Sequence, residues 1–222
     1  MGADGEPVGA DGETVVGVRA AGRTALLVEV RPDQVARWYA ALASLRQEGL
    51  VRDVVPAART VLLDGVLDPV AVRAHVLAMS PPPLPDTEGP LVELAVHYDG
   101  EDLAEVARLW GTDEAGVVAV HTGTAFRVAF CGFAPGFGYL SGLPPHRHVP
   151  RRATPRTRVR AGSVGLADEW SGVYPTASPG GWQLIGRTTA PLFDVHRDPP
   201  ALLAPGTRVR FVDAGRDVGT RA

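Results

Sequence analysis

The chain has 222 residues, 45% of them hydrophobic and 21% charged, with a formal net charge of −3. That length can bury a core without disulfides or structural metal, and the composition excludes collagen-like, coiled-coil and wholly disordered chains. Cys131 is the only cysteine, so neither an intramolecular disulfide nor a cysteine-built zinc site is possible. All 22 basic residues are Arg and none is Lys. Schiff-base chemistry and a phosphate-gripping Lys are therefore excluded, and anions fall to Arg or to backbone N–H groups. Residues 1–145 carry a net charge of −9 and residues 146–222 carry +6. That pattern argues against a nucleic-acid surface and for a local anion site in the last third. The apolar runs are too short for a membrane span, and the acidic start MGADGEPVGADGE is unlike a signal peptide, so a cytoplasmic protein is expected.

Residues 1–13, with their GADGE-like units, are expected to form a disordered tail. TVVGVRA and TALLVEV read as strands around a turn at 21–23. A helix is predicted from Asp33 to about Glu48, with Val35, Trp38, Tyr39, Leu42 and Leu45 on one face and Gly49 as its stop. LVRDVV and TVLLDGV repeat the strand pair, and Asp68-Pro69 caps a second helix with Val70, Ala74 and Leu77 facing inward. Strand, strand, helix, twice over, implies a small open-faced sandwich at 14–80. Residues 81–90 hold a Pro-rich linker.

A second domain is expected at 91–213, with a tail at 214–222. It opens with the strand LVELAVHY. Asp102 and Glu105 read as a capping box for a helix with Leu103, Val106 and Leu109 inward, and Thr112 opens a short second helix. From residue 124 onward AFRVAF, SVGLA, GGWQLIG and RVRFVD are β runs between Gly- and Pro-rich loops, the pattern of a β-barrel. The fold class is thus α+β, a small N-terminal α/β sandwich followed by a β-barrel.

Within that barrel FCGFAPGFGYL packs three Gly, a Pro and three of its aromatics into nine residues. Phe133, Phe137 and Tyr139 alternate with small residues, and with Pro135 and Gly136 they suit a loop lining a cleft or facing a partner. HRHVPRRATPRTRVR, residues 146–160, holds six Arg and no acid, with Pro150 and Pro155 stiffening the loop. Arg151 and Arg156 are the candidate anion forks. AGSVG and SPGGW offer Gly162, Ser163, Gly180 and Gly181 as small-residue turns for an anion. No Walker loop is present, and no metal-ligand spacing appears among the His residues. His121 is a candidate acid or base.

The strings FCGFAPGFGYL, PRRATPR, AGSVG, GVYP, SPGGW and IGRT, in this order, resemble the KipI-like family, known as the B-type subunit of prokaryotic 5-oxoprolinase or as allophanate hydrolase subunit 1. The resemblance implies a cyclophilin-like barrel of carboxyltransferase type and a role for His121 of HTGTAFRV. It implies ATP-dependent hydrolysis of 5-oxo-L-proline to L-glutamate, with ATP bound by the complex or by this chain. The implied partners are a second cyclophilin-like barrel subunit, the C-type subunit of 5-oxoprolinase, and the LamB/YcsF-type subunit of the same enzyme; the chain alone is expected to be inactive. The resemblance leaves two alternatives, a histidine-kinase inhibitor without catalysis and half of a biotin-dependent urea-type carboxyltransferase. Allophanate hydrolysis is disfavoured, because a Ser-Ser-Lys amidase needs the Lys that this chain lacks.

Overall fold

The computed structural model describes residues 17–83 and 89–215. The expected tail at 1–13, the first residues of the opening strand, residues 84–88 of the expected linker and residues 216–222 lie outside the described residues. The chain divides into two compact units, Met1–Asp86 and Thr87–Ala222.

In the first unit β1 (Gly17–Ala20), β2 (Ala25–Glu29), β3 (Asp53–Pro56) and β4 (Thr60–Asp64) form an antiparallel sheet in the order β1-β2-β4-β3. Period-two alternation decides its buried face: Leu26 pairs with Leu63 and Val28 with Val61, and all four are buried. On that face α1 (Val35–Gln47) sets Val35, Trp38, Leu42 and Leu45, in one core with Val72 and Val76 of α2 (Pro69–Ala78). The inward face of α2 differs from the one expected. The Asp68 carboxylate accepts from the N–H groups of Val70 and Ala71 and starts the helix at Pro69. This turns Val72 and Val76 onto the sheet and leaves Val70 80% exposed.

The second unit contains β5 (Leu91–Val96), α3 (Leu103–Trp110), α4 (Glu114–Gly123) and β6 (Phe126–Cys131). There follow β7 (Gly138–Ser141), β8 (Arg156–Val159), β9 (Ser163–Ala167), β10 (Trp170–Val173), β11 (Ser178–Gly180), β12 (Gln183–Arg187) and β13 (Arg208–Asp213). Seven strands line up as β12-β9-β10-β7-β6-β13-β5. The two edges meet just past β5, where His97 and Arg187 exchange both backbone N–H···O bonds at 2.9 Å and nearly close the barrel. β8 and β11 form a separate ribbon. The helix α3 buries Leu103, Val106, Ala107 and Trp110, while Leu109 turns out to the surface. The fold is α+β, a small antiparallel sheet with helices and then a nearly closed seven-stranded barrel.

Candidate functional site

Two hydrophobic clusters fill the barrel unit, and the smaller one is aromatic. Phe137 is buried at its centre. Its ring lies edge-on to Tyr139 at 5.0 Å and to Tyr174 and Trp182 at 5.4 Å each. Phe133 closes the rim at 5.4 Å from Phe137. These rings, with Arg151, Gly180 and Gly181, line a shallow cleft of about 40 Å³. Six of the residues singled out from sequence thus meet in one place, although they come from three separate loops. A Cβ at Gly180 would collide with the Tyr174 phenol oxygen, so the close approach there needs glycine. Phe133 is 61% exposed and holds φ at 67°, a conformation that costs a bulky residue of order 1–3 kcal/mol. A large ring presented to solvent on strained backbone is the pattern of a recognition loop. Pro135 is exposed and Gly136 packs on Leu192 and Phe193; neither lines the cleft.

The basic loop is fixed by a residue outside it. Asp102 is 5% exposed and its carboxylate accepts from Arg152 Nη1 at 2.5 Å, Arg156 Nη2 at 2.9 Å and the Leu184 N–H at 2.7 Å. It makes no side-chain cap for α3, in contrast to the capping box expected from sequence. Burial pushes its pKa up, but the Arg156 and Leu184 hydrogen bonds and the two guanidinium charges outweigh that and hold it below the ordinary carboxylate value. Arg156 also bonds Glu101 and is only 14% exposed. The anion grip expected of Arg156 is therefore taken up internally.

Arg151 is different. Gln183 donates to the Pro150 carbonyl at 3.1 Å, and the Arg152 N–H donates to the Gly181 carbonyl at 2.8 Å. The backbone is pinned on both sides of Arg151, while its exposed guanidinium has no hydrogen-bond or ion-pair partner among the described residues. Its charge reaches Tyr139 and Tyr174, where burial raises both phenol pKa values and Arg151 pulls them partly back.

The other candidates lie elsewhere. His121 is fully buried, with Nδ1 2.8 Å from Tyr98 Oη and Nε2 2.9 Å from Ser171 Oγ. Burial pushes its pKa down to about 3, so the ring is neutral and uses both nitrogens on hydroxyls. Gly162 does not offer its N–H to a ligand as expected, because it donates to the Tyr174 carbonyl at 2.7 Å. Ser163 likewise spends its N–H on the Arg160 carbonyl, at 3.2 Å, and keeps only its hydroxyl. Burial also raises the Cys131 thiol pKa. Sequence reasoning missed Tyr174 and Asp102. The GVYP string held Tyr174 in plain view, whereas nothing near Asp102 in the chain announces its partners.

The family described as carboxyltransferase domain, subdomain C and D, matches residues 16–203. The chain belongs to that family. The B-type subunit of 5-oxoprolinase from Escherichia coli O157:H7 is 52% identical over 130 residues, which is 57% of this chain and 60% of that protein. Its counterpart from Haemophilus influenzae, also named as the B-type subunit of 5-oxoprolinase, is 46% identical over 133 residues, 59% of this chain and 62% of that protein. The matched part thus spans about three fifths of each of these curated relatives. The crystal structure of TTHA0988 superposes with a TM-score of 0.72 at 34% identity, over 89% of this chain and 40% of that one. For a carboxyltransferase C and D subdomain protein, the aromatic cleft lies well inside the matched region. Among the described residues no helix is long and apolar enough to cross a membrane, and no group of three or more His, Cys, Asp or Glu is placed to hold a metal.

Proposed function

We propose that this chain is the B-type subunit of a cytoplasmic, ATP-dependent 5-oxoprolinase that hydrolyses 5-oxo-L-proline to L-glutamate. The site is completed by a second cyclophilin-like barrel, the C-type subunit, and by the LamB/YcsF-type subunit. The carrying observation is the unpaired Arg151 guanidinium at the mouth of a small aromatic cleft. A five-membered lactam with a carboxylate offers two matching faces. Its carboxylate suits the Arg151 fork and its methylenes suit the exposed ring of Phe133 at the rim, with the lactam lying over the shallow cleft rather than enclosed in it. Tyr139 and Tyr174 are protonated at neutral pH, as phenols are, and burial only raises their pKa values further, so their O–H groups can donate to the lactam carbonyl. An amide carbonyl is a poor electrophile, and ATP supplies the phosphoryl group that converts its oxygen into a leaving group. The two relatives named as B-type subunits of 5-oxoprolinase support the reading. His121, buried and neutral, serves in it as a positioning residue joining α4 to the barrel rather than as the catalytic base.

The test is co-expression with both partner subunits and an assay of glutamate released from 5-oxoproline with and without ATP. ATP-dependent release supports the assignment, and a folded, assembled complex that releases none overturns it. The family description favours a second reading, half of a biotin-dependent carboxyltransferase. Carboxylation of a urea-like substrate by the chain with a biotin carboxylase would select it.

A further inference from the structure

A second cleft of about 560 Å³ lies beside the loop at Asp99–Glu101, along β8 of the β8–β11 ribbon. It is over ten times the size of the aromatic one and differs in chemistry. Arg156, Arg158 and Arg160 alternate along RTRVR, so their side chains share one side of extended chain. Arg156 is tied to Asp102 and Glu101. Arg158 and Arg160 line the cleft, are exposed, and have no ion-pair or hydrogen-bond partner among the described residues. Ser163 lines it too. It is 8% exposed, and its hydroxyl has no hydrogen-bond partner among the described residues. The Ser163 hydroxyl reaches solvent through the cleft, and beside it stand two free guanidinium groups, a donor set open to an anionic ligand. The acids of this cleft are already engaged, Asp99 by Arg187 and Glu101 by Arg156, so the uncompensated charge is positive.

We propose that this cleft binds the polyphosphate of a nucleoside triphosphate, with Arg158 and Arg160 as forks on the phosphate oxygens and Ser163 Oγ as a neutral donor. The choice of a triphosphate over another polyanion rests on the 5-oxoprolinase reading, in which ATP is consumed. The volume falls within the ordinary range of ligand sites, whereas the aromatic cleft falls far below it. The chain would then hold the two substrates in separate clefts, a carboxylate at Arg151 and phosphates at Arg158 and Arg160. No Walker loop is needed, because free Arg forks replace the Lys that this chain lacks.

The test is isothermal titration of the purified full chain with ATP, tripolyphosphate and adenosine. ATP and tripolyphosphate should bind and adenosine should not. The double variant Arg158→Ala/Arg160→Ala should weaken ATP binding by about tenfold or more, and Ser163→Ala by a smaller factor. Arg151→Ala and the remote Arg23→Ala should leave ATP binding unchanged. Absent binding by the folded chain, adenosine binding as tightly as ATP, or a double variant that binds as wild type does would each overturn the proposal. So would an equal loss in Arg151→Ala or Arg23→Ala, which would mean a different cleft or net charge alone. The two readings fail separately. ATP bound through Arg158 and Arg160, with no glutamate made by the complex, removes the 5-oxoprolinase and keeps the cleft. Glutamate made with an unchanged KM for ATP in the double variant removes the cleft and keeps the enzyme.

Discussion

Two arginines five positions apart have opposite surroundings, and opposite consequences follow on substitution. Arg151→Ala removes an unpaired exposed charge, so folding stability should stay within about 0.5 kcal/mol. The kcat/KM of the assembled enzyme should fall about 10- to 150-fold, the range for losing a charge-assisted hydrogen bond. Arg151→Lys separates charge from geometry, because Lys keeps the charge and loses the fork. Arg156→Ala instead leaves Asp102 short of one of its two cations, and a loss of about 3–5 kcal/mol in urea denaturation is expected. Asp102 also sets a pH dependence. Its folded pKa lies below the unfolded value of about 3.9, so its stabilisation is complete above that pH and is lost as pH falls through the folded value. Urea midpoints measured from pH 5 downward should fall less steeply in Asp102→Asn than in wild type; parallel slopes would refute this role. The sequence made Arg151 legible, because a basic loop without acids must find anions elsewhere. It could not separate Arg151 from Arg156, because the deciding carboxylate lies 54 positions from Arg156 and reads locally as a helix cap.

At the scale of elements, legibility follows length and amphipathic contrast. The helix α1, with its bulky inward row of Trp38, Leu42 and Leu45, is readable from spacing alone. In α2 seven of the ten positions are Val, Ala or Leu, so the spacing of apolar residues cannot choose a face. The cap at Asp68 chooses it by fixing where the helix starts. Val76→Ala should cost about 2 kcal/mol by emptying a fully buried site, whereas Val70→Ala should change stability by no more than about 0.5 kcal/mol. Chemical denaturation of the two variants side by side decides it, and equal effects would restore the face expected from sequence. The barrel-unit strands GYLS, RTRV, WSGV and SPG escape a sequence reading because each has only three or four residues. Their pairing comes from neighbours distant in sequence. Ser171 pairs with Leu140 and Ser178 with Val159, contacts that no local window contains.

Across the molecule, the aromatic cleft carries groups suited to binding and lacks the groups for chemistry. Its lining offers one guanidinium, two protonated phenols and apolar rings. Among the described residues no carboxylate, thiol or imidazole lines it, and hydrolysis of a lactam needs a base for the attacking water. His121 is a poor candidate, since it is fully buried, both its ring nitrogens are engaged by Tyr98 and Ser171, and burial lowers its pKa to about 3, which makes it a weak base. In the proposed 5-oxoprolinase the base would come from another chain covering the cleft, and the exposed Phe133 at its rim is suited to that contact. The purified chain should accordingly release no glutamate from 5-oxoproline with ATP present, while the complex does. Phe133→Ala should weaken association with the second barrel subunit by at least about tenfold without loss of stability, because its ring is mostly exposed in the free chain. Association measured by titration calorimetry, beside a denaturation curve for the variant, separates the two effects. Robust turnover by the chain alone would show that the base lies within it, and the composite site would have to be abandoned.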